Sequence, residues 1–296
     1  MRVAILGLGA AGRGLAHALT RPGIECVVAA RDPARAEALA RLTGATPART
    51  DPEAAAGADV VLFAVHEEAL VQRAEAFAAA CAFHEITSGV ALHLAGALAP
   101  DALQSIGDVG WSIGRMHPLV ALRPTTDGSQ LRGAPFALAG DERALEAAER
   151  LVAALDGTTL RIAPGAEAAY HASAALVAQG AVALVAGAAE ALAPLLVDTP
   201  DATRVARRAL ASLLASVAAN LEAVDATAAL TGPVARGSAE TVELHLAALT
   251  GDAAEYYRGV LPRLVRLAAP RLTPAARERL ERLVEDHAAD RARDRP

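Results

Sequence analysis

The chain has 296 residues, of which 53% are hydrophobic and only 3% aromatic, and its formal net charge is −6. This length predicts about two domains, with cores built mainly from alanine, valine and leucine. The negative charge, without any basic block, argues against nucleic acid as a partner. All 28 lysine-plus-arginine residues are arginines, which excludes sites that need lysine: Schiff bases, P-loops and lysine general acids.

The cysteines and the apolar segments bear on the location of the protein. The two cysteines, Cys26 and Cys81, predict no disulfide framework and fit a reduced, cytoplasmic compartment. No secretory signal is recognisable, because the apolar start runs into a glycine turn rather than a cleavage site. The long apolar segment from Ala174 to Val197 contains a glutamine, a glutamate and a proline. We interpret it as a buried core helix rather than a membrane span.

The first turn of the chain carries the pattern G-x-G-x-x-G. An apolar, strand-type run precedes it and a helix-type sequence follows, which is the arrangement that binds a dinucleotide. The first glycine allows a tight turn, the second lets a pyrophosphate approach the backbone, and the third lets the helix pack on the strand. The helix N-terminus then attracts the phosphates. The residues predicted to bind the nucleotide here are Gly7, Leu8, Gly9, Ala10, Ala11 and Gly12.

The end of the second predicted strand, residues 24–30, bears on the choice between NAD and NADP. Arg31 follows this strand directly, and Asp32 stands close to the place where an acidic residue binds the ribose 2′-hydroxyl of NAD. Asp32 followed by proline is also a good helix start. We therefore assign Asp32 to the helix and Arg31, assisted by Arg35, to a 2′-phosphate. NADP is the expected cofactor, and NAD is the alternative.

Strands and helices alternate through the first half of the chain. The later predicted strands are 59–65, 83–87, 111–116, 136–139 and 159–162, with a helix over 142–155. This alternation predicts an α/β fold, a doubly wound Rossmann-type sheet, over residues 1–164. Residues 165–296 form a predicted helical domain. Its helices are expected at about 166–193, 199–229, 238–250, 253–268 and 274–290.

Several side chains follow the predicted strands, and ligands in such folds bind beyond the carboxyl ends of the strands. Val65 and His66 end the third predicted strand, Ser88 follows the fourth, and His117 follows the fifth. We expect Val65 and His66 beside the cofactor, and Ser88 and His117 at the substrate. His117 is the first choice as general acid/base or substrate-orienting donor, because histidine titrates near neutral pH. The alternatives are a structural bond to a turn carbonyl for His117 and a helix cap for Ser88.

With these residues in hand, the chain resembles the bacterial two-domain Rossmann-like proteins classed as NADP oxidoreductases, whose C-terminal half is a domain of unknown function. More distantly it is similar to pyrroline-5-carboxylate reductase, prephenate dehydrogenase and 6-phosphogluconate dehydrogenase. The resemblance implies a helical second domain of the 6-phosphogluconate-dehydrogenase type, a substrate cleft between the domains and a homodimer. Besides the glycine turn, the motifs that carry it are Thr87-Ser88-Gly89, His117-Pro118-Leu119, Tyr170-His171-Ala172-Ser173 and Leu230–Gly237. The chain departs from the family pattern at His66, Ile86 and Gln179, where the family tends to have proline, histidine and asparagine.

Three residues of the helical domain are further candidates for the substrate site. His171 stands at the beginning of the first predicted helix of this domain, and we expect it to be a catalytic residue or a substrate contact. Helical spacing puts Gln179 roughly on the same face of that helix. Arg236 lies in a Gly-Pro-x-x-Arg-Gly-Ser turn, where it would hold a substrate carboxylate bidentately. The histidines interpreted as helix residues without a role are His17, His93, His245 and His287.

Together these patterns predict an NADP(H)-dependent oxidoreductase. It would transfer a hydride to or from a small, carboxylate-bearing carbonyl or imine compound held between the domains. Two alternatives stay open: a non-catalytic NADP-binding module that controls a partner, and a prephenate-dehydrogenase-like oxidation. No metal is expected, because the chain lacks H-E-x-x-H and paired C-x-x-C motifs. A second copy of the chain is an expected partner; nucleic acid and membrane are not.

Overall fold

Eight strands form one sheet in the first half of the chain. The computed structural model describes residues 1–86 and 88–293, with side chains described as far as residue 286. The strands are β1 (Arg2–Leu6), β2 (Glu25–Ala29), β3 (Thr46–Ala48), β4 (Val60–Phe63), β5 (Val90–His93), β6 (Ser112–Pro118), β7 (Pro135–Gly140) and β8 (Thr158–Arg161). Their order is β3-β2-β1-β4-β5-β6-β7-β8. All neighbours are parallel except β6 and β7, which are antiparallel. The predicted doubly wound sheet is therefore confirmed.

Helices cover both faces of this sheet. They are α1 (Ala10–Thr20), α2 (Pro33–Thr43), α3 (Asp51–Ala55), α4 (Glu67–Phe83), α5 (Gln104–Gly107) and α6 (Glu142–Ala154), followed by α7 (Glu167–Leu192). Side chains alternate along β1: Val3 and Ile5 join the core under α1, α2 and α6, while Ala4 and Leu6 join the core under α3 and α4. Because the sheet is buried on both faces, the sequences of these parallel strands are continuous apolar runs. Each fully buried Ile or Leu contributes about 1.5–3 kcal/mol.

The predicted strand over 83–87 is wrong, and the true strand lies seven residues later. Helix α4 continues to Phe83, which is 84% exposed, and is capped by His84. Strand β5 begins at Val90, where its pairing with β4 and β6 begins, and Val90 to His93 are all buried. Gly89 directly precedes β5 and lies against the Trp111 indole, and a Cβ at this position would collide with the ring. The short strand β3 was not predicted from the sequence.

By contacts the chain divides into two compact units, Met1–Leu176 and Val177–Pro296. The division falls inside α7, so the first turns of this helix belong with the sheet. The sequence-based boundary between residues 164 and 165 stays a prediction.

The second unit is helical in the residues described, as expected. Its helices are α8 (Ala202–Ala223), α9 (Ala226–Ala229), α10 (Pro233–Arg236), α11 (Ala239–Ala248), α12 (Gly251–Ala268) and α13 (Pro274–Arg293). The single helix predicted over 199–229 is interrupted, because Val224 is extended and Asp225 starts a new turn. The Asp225 carboxylate accepts the N–H groups of Thr227 and Ala228, which is the N-cap role that aspartate favours. Apolar residues of α10 to α13 form the core of this unit.

The expectation that 174–197 forms a buried core helix is wrong. Along α7, Leu176, Val177 and Val182 are 76%, 72% and 71% exposed. By length and composition alone, one helix in the described part of the chain, Glu167–Leu195, could cross a membrane, and only 11% of its most apolar window is buried. A single helix of this kind is weak evidence for a span. The apolar face of α7 is therefore left uncovered within one chain.

Candidate functional site

The glycine turn after β1 has the geometry of a phosphate cradle. Gly7 has φ +101°, and a Cβ there would lie 2.5 Å from the Ala64 carbonyl oxygen. A Cβ on Gly12 would collide with the carbonyl oxygen of Gly7, whereas a Cβ on Gly9 would meet no atom of the described residues within 4 Å. Gly7 and Gly12 thus let α1 pack on the sheet, and Gly9 leaves open space. Because α1 begins at Ala10 with no side-chain cap, its first N–H groups are available to a phosphate.

The other residues of the turn act through their backbone. Leu8 is 5% exposed and its side chain belongs to the core, so only its main chain can face a ligand. Ala10 and Ala11 are half-buried in the first turn of α1. These residues fit the pyrophosphate of a dinucleotide, which is bound by main-chain N–H groups rather than by side chains.

Two arginines stand beside this turn at the carboxyl end of β2. The guanidinium Nη2 of Arg35 donates to the carbonyl oxygen of Leu8 at 3.3 Å, which brings its charge to the glycine turn. Arg31 is exposed at the end of the strand. Asp32 caps α2, accepting the N–H of Ala34 at 3.1 Å, so the structural role predicted for Asp32 is confirmed. With Asp32 engaged at the helix N-terminus, the guanidinium groups of Arg31 and Arg35 make this strand end positive, which suits a phosphate group.

The end of β4 lies next to the glycine turn. Val65 is half-buried, and its Cγ1 would be 3.0 Å from a Cβ on Gly7. His66 is exposed and stands at the N-cap of α4 without a side-chain capping bond. The following residue, Glu67, accepts the N–H of Ala97 at 3.3 Å. This end of the sheet therefore joins the glycine turn to the segment after β5.

At the carboxyl end of β6, three side chains of the first unit form what we call the His117 cluster: His117, Tyr170 and His171. The Nδ1 of His117 and the hydroxyl of Tyr170 are 2.7 Å apart. The ring centroids of His117 and His171 are 5.9 Å apart and nearly perpendicular. The structure thus brings together His117 and His171, two of the candidate site residues, and their roles at a substrate stay predictions. Tyr170, which the sequence interpretation placed only as part of a motif, is the hydrogen-bonding partner.

Gly96, in the segment after β5, makes room for the two histidines. A Cβ on Gly96 would lie 2.6 Å from Cδ2 of His171 and 2.9 Å from Nε2 of His117. Any side chain at this position would therefore displace one of the rings.

Two buried side chains hold the segment 94–99 in place. The Nη1 of Arg115 donates to the carbonyl oxygens of Gly96 and Leu98, at 3.1 and 3.4 Å. The Nδ1 of His93 accepts the N–H of Ala95 at 3.2 Å, so its proton is on Nε2, which donates to Ala99 at 3.0 Å. Both side chains are fully buried. The sequence interpretation of His93 as a helix residue without a role is wrong: it ends β5.

Burial keeps His93 and His117 neutral. Desolvation lowers the pKa of His117 to about 4, assisted by the nearby positive charges of His171 and Arg115. Desolvation also lowers the pKa of His93 to about 4, and the bond in which its Nδ1 accepts the N–H of Ala95 needs the neutral ring. The expectation that His117 titrates near neutral pH therefore does not hold here. At pH 7 it is a neutral hydrogen-bonding group.

Arg115 is the fixed positive charge beside the cluster. Its Cζ lies 5.3 Å from the ring centroid of Tyr170, within cation–π distance. Its Nε and Nη2 are buried and have no hydrogen-bond partner among the described residues. Burial lowers the pKa of Arg115, and the nearby Glu167 carboxylate opposes this. The guanidinium stays protonated.

Ser88 does not join this site. Ser88 precedes β5 instead of following a strand. It therefore lies at the amino-terminal end of β5, at the opposite edge of the sheet from His117. Its predicted place beside a substrate depended on the misplaced strand over 83–87. Thr87, the first residue of the Thr-Ser-Gly motif, lies outside the described residues.

Gln179 and Arg236 belong to the second compact unit. Gln179 is exposed on α7, two turns beyond His171. Arg236 is exposed in the last turn of α10, just before Gly237 in the left-handed region at φ +71°. Their substrate roles stay predictions. Among the described residues, no three His, Cys, Asp or Glu side chains converge as metal ligands.

Comparisons with known proteins agree with this architecture. Residues 2–82 match the family described as NADP oxidoreductase coenzyme F420-dependent, and residues 134–262 match the domain of unknown function DUF2520. No curated protein sequence matches the chain.

Solved structures share the fold. Protein TM1727 from Thermotoga maritima is 20% identical with a TM-score of 0.69, over 91% of this chain and 99% of that one. The 1-pyrroline-5-carboxylate reductase from Streptococcus pyogenes is 14% identical with a TM-score of 0.60, over 96% and 98%. The reductive aminase from Aspergillus terreus in complex with NADPH and ethyl-5-oxohexanoate is 21% identical with a TM-score of 0.55, over 90% and 93%. The chain therefore joins a segment that matches this NADP oxidoreductase family to a segment that matches DUF2520.

Proposed function

We propose that this protein is an NADPH-dependent reductase or dehydrogenase that acts on a small imine or carbonyl compound. The observation that carries the proposal is the open cradle at Gly9 on the same sheet edge as the His117 cluster. The N-terminus of α1 would hold the pyrophosphate of a dinucleotide at this edge, which is where ligands of doubly wound sheets bind. When bound, the reduced nicotinamide supplies a hydride.

The chain's own residues have distinct tasks in this proposal. The backbone of the glycine turn binds the pyrophosphate, Arg31 and Arg35 bind the 2′-phosphate, and Val65 and His66 lie along the cofactor. His117 and His171 orient the substrate. An imine substrate is supported by the fold shared with pyrroline-5-carboxylate reductase and with a reductive aminase that binds NADPH. A carboxylate on the substrate would be bound by Arg236.

Fluorescence titration with NADPH and NADH tests the cofactor assignment. Arg31→Ala should weaken NADPH binding at least tenfold and leave NADH binding nearly unchanged, because a charge-assisted bond to phosphate contributes about 1.5–3 kcal/mol. Arg41→Ala, an exposed arginine in the last turn of α2, is the matched control and should change neither affinity. Equal loss of NADPH affinity in both variants would contradict the role of Arg31, and binding of neither nucleotide would refute the function.

We further propose that the protein is a homodimer formed through the uncovered apolar faces of its helices. Along α8, Leu213, Val217 and Leu221 recur every fourth residue and are 61%, 41% and 53% exposed. Only Ala206 of this helix is buried. An apolar stripe of this length is unfavourable in water, and an isologous partner would cover it.

Size-exclusion chromatography with light scattering tests the dimer. The double substitution Leu213→Glu and Leu221→Glu should give a monomer, because it places charges in the interface. Glu222→Gln, on the same helix, is the control and should stay dimeric. A wild-type protein that is monomeric at micromolar concentration would contradict this proposal.

A further inference from the structure

The hydroxyl of Tyr170 is placed like a functional group rather than a packing group. It lies 2.7 Å from Nδ1 of His117, while its ring faces the Arg115 guanidinium at 5.3 Å. The side chain is half-buried rather than enclosed in the core. Because its pKa is lowered to about 4, His117 is neutral at pH 7, and a neutral imidazole is a much weaker acid than an imidazolium ion.

We propose that Tyr170 donates the proton that completes reduction of the substrate, with His117 as the positioning residue. The inference rests on the proposed reductase function. In the arrangement we propose, the Nδ1–H of His117 donates to the phenolic oxygen. The O–H of Tyr170 is then free to point at the substrate.

The step balances in atoms and electrons. The substrate carbon accepts a hydride, with its two electrons, from the reduced nicotinamide. The π electron pair of the C=N or C=O bond moves to the nitrogen or oxygen. That atom takes the phenolic proton as the O–H bond of Tyr170 breaks, leaving an amine or alcohol, a phenolate and an oxidised nicotinamide. A solvent proton then restores the phenol.

The surroundings of Tyr170 suit both states of this cycle. Burial raises the pKa of Tyr170, so the phenol stays protonated and ready at neutral pH. When the phenolate forms, it has the fixed positive charge of Arg115 beside it and the N–H of His117 on its oxygen. Arg115 opposes the effect of burial on the pKa of Tyr170, as a cation next to a developing anion must.

A pair of substrates separates proton donation from positioning. The imine 2-methyl-1-pyrroline needs a proton at pH 9, whereas its N-methylated iminium ion already carries the positive charge and needs none. Tyr170→Phe should lower kcat for the imine about a hundredfold or more, as expected for a lost general acid, and change kcat for the iminium ion less than threefold. Tyr256→Phe removes a hydroxyl from the second unit and is the matched control; it should leave both rates unchanged. Equal loss on both substrates, or loss on neither, would overturn the proposal.

A second readout does not depend on turnover. The ¹⁵N NMR spectrum of uniformly labelled protein, with His117 assigned from His117→Asn, should show a neutral ring protonated on Nδ1. A proton on Nε2 would mean that the phenol donates to His117 rather than to the substrate, which would overturn the arrangement. If the wild-type protein reduces neither compound, the proposed imine reduction fails, and this spectrum still decides the placement of the Tyr170 proton.

Discussion

Replacing Gly96 by alanine perturbs the His117 cluster with a single methyl group. Gly96 is not in the left-handed region, so alanine is compatible with its backbone. The methyl group would, however, stand 2.6 Å from Cδ2 of His171 and 2.9 and 3.1 Å from Nε2 and Cδ2 of His117. The main chain cannot easily retreat, because Arg115 holds the Gly96 carbonyl oxygen at 3.1 Å. The rings must therefore move.

The size of the effect follows from the distances. Restoring a normal carbon–carbon contact of about 3.5 Å requires His171 to move by about 0.9 Å. A misplacement of about 1 Å at a reacting centre costs about a hundredfold in rate. Overpacking at a tight contact costs about 1–3 kcal/mol of folding stability. The glycine turn is not touched, so NADPH binding should be retained.

Three measurements on Gly96→Ala check this reasoning: turnover of an imine, NADPH affinity and the free energy of unfolding. We expect turnover to fall about a hundredfold while the affinity stays within twofold. Gly259→Ala, on α12, is the matched control, since a Cβ there meets no atom within 4 Å, and it should leave turnover unchanged. A Gly96→Ala protein with wild-type turnover would refute the claim that the ring positions of His117 and His171 matter.

Three further predictions address the pH dependence, the sheet edge and the helix cap. The pKa values of His93 and His117 are about 4 in the folded state against 6.5 when unperturbed. The unfolded chain therefore binds more protons than the folded chain between pH 4 and 6.5. The free energy of unfolding should be at its full value above about pH 6.5 and fall below it, by about 2 kcal/mol per histidine at pH 5. Urea unfolding at pH 7 and pH 5 measures this loss, which should be smaller in His117→Asn; an equal loss in that variant would contradict the neutral assignment. Ser88→Ala should change turnover less than twofold, because Ser88 lies at the opposite edge of the sheet, and a large loss in steady-state kinetics would contradict this placement. Asp32→Ala should cost about 1 kcal/mol in thermal unfolding, as a lost N-cap does, while a changed preference between NADPH and NADH would show that Asp32 touches the cofactor.

Local patterns in the sequence were sufficient for the cofactor half of the site. The glycine turn, the strand before it and the Asp32 cap are each set by residues close together in the chain, and all are found as predicted. Strand β6 was also predicted, although it was expected to end at Met116 and in the structure it continues through His117 to Pro118. These features need only the preferences of glycine, proline and aspartate and the length of an apolar run.

The substrate half depends on contacts between residues distant in sequence. Strand β5 was missed because its four residues include an alanine and a histidine, and the strand is defined by burial between β4 and β6 rather than by its own pattern. With β5 misplaced, Ser88 was assigned to the wrong edge. The bonds from Arg115 and His93 to segment 94–99, and the space at Gly96, have no local signature. The exposure of α7 could not be predicted either, because the sequence of an apolar helix is the same whether its own chain or a partner covers it.

Transfer of deuterium from labelled cofactor tests the central claim most directly. Wild-type protein would be incubated with 2-methyl-1-pyrroline and NADPH carrying deuterium at C4 of the nicotinamide, in each of the two stereospecific forms. A reductase transfers one deuterium to the amine carbon from one form and none from the other, which mass spectrometry of the product detects. If NADPH binds but neither form labels an imine or carbonyl product, the protein is not the reductase proposed here. It would then be an NADP-binding module without this chemistry.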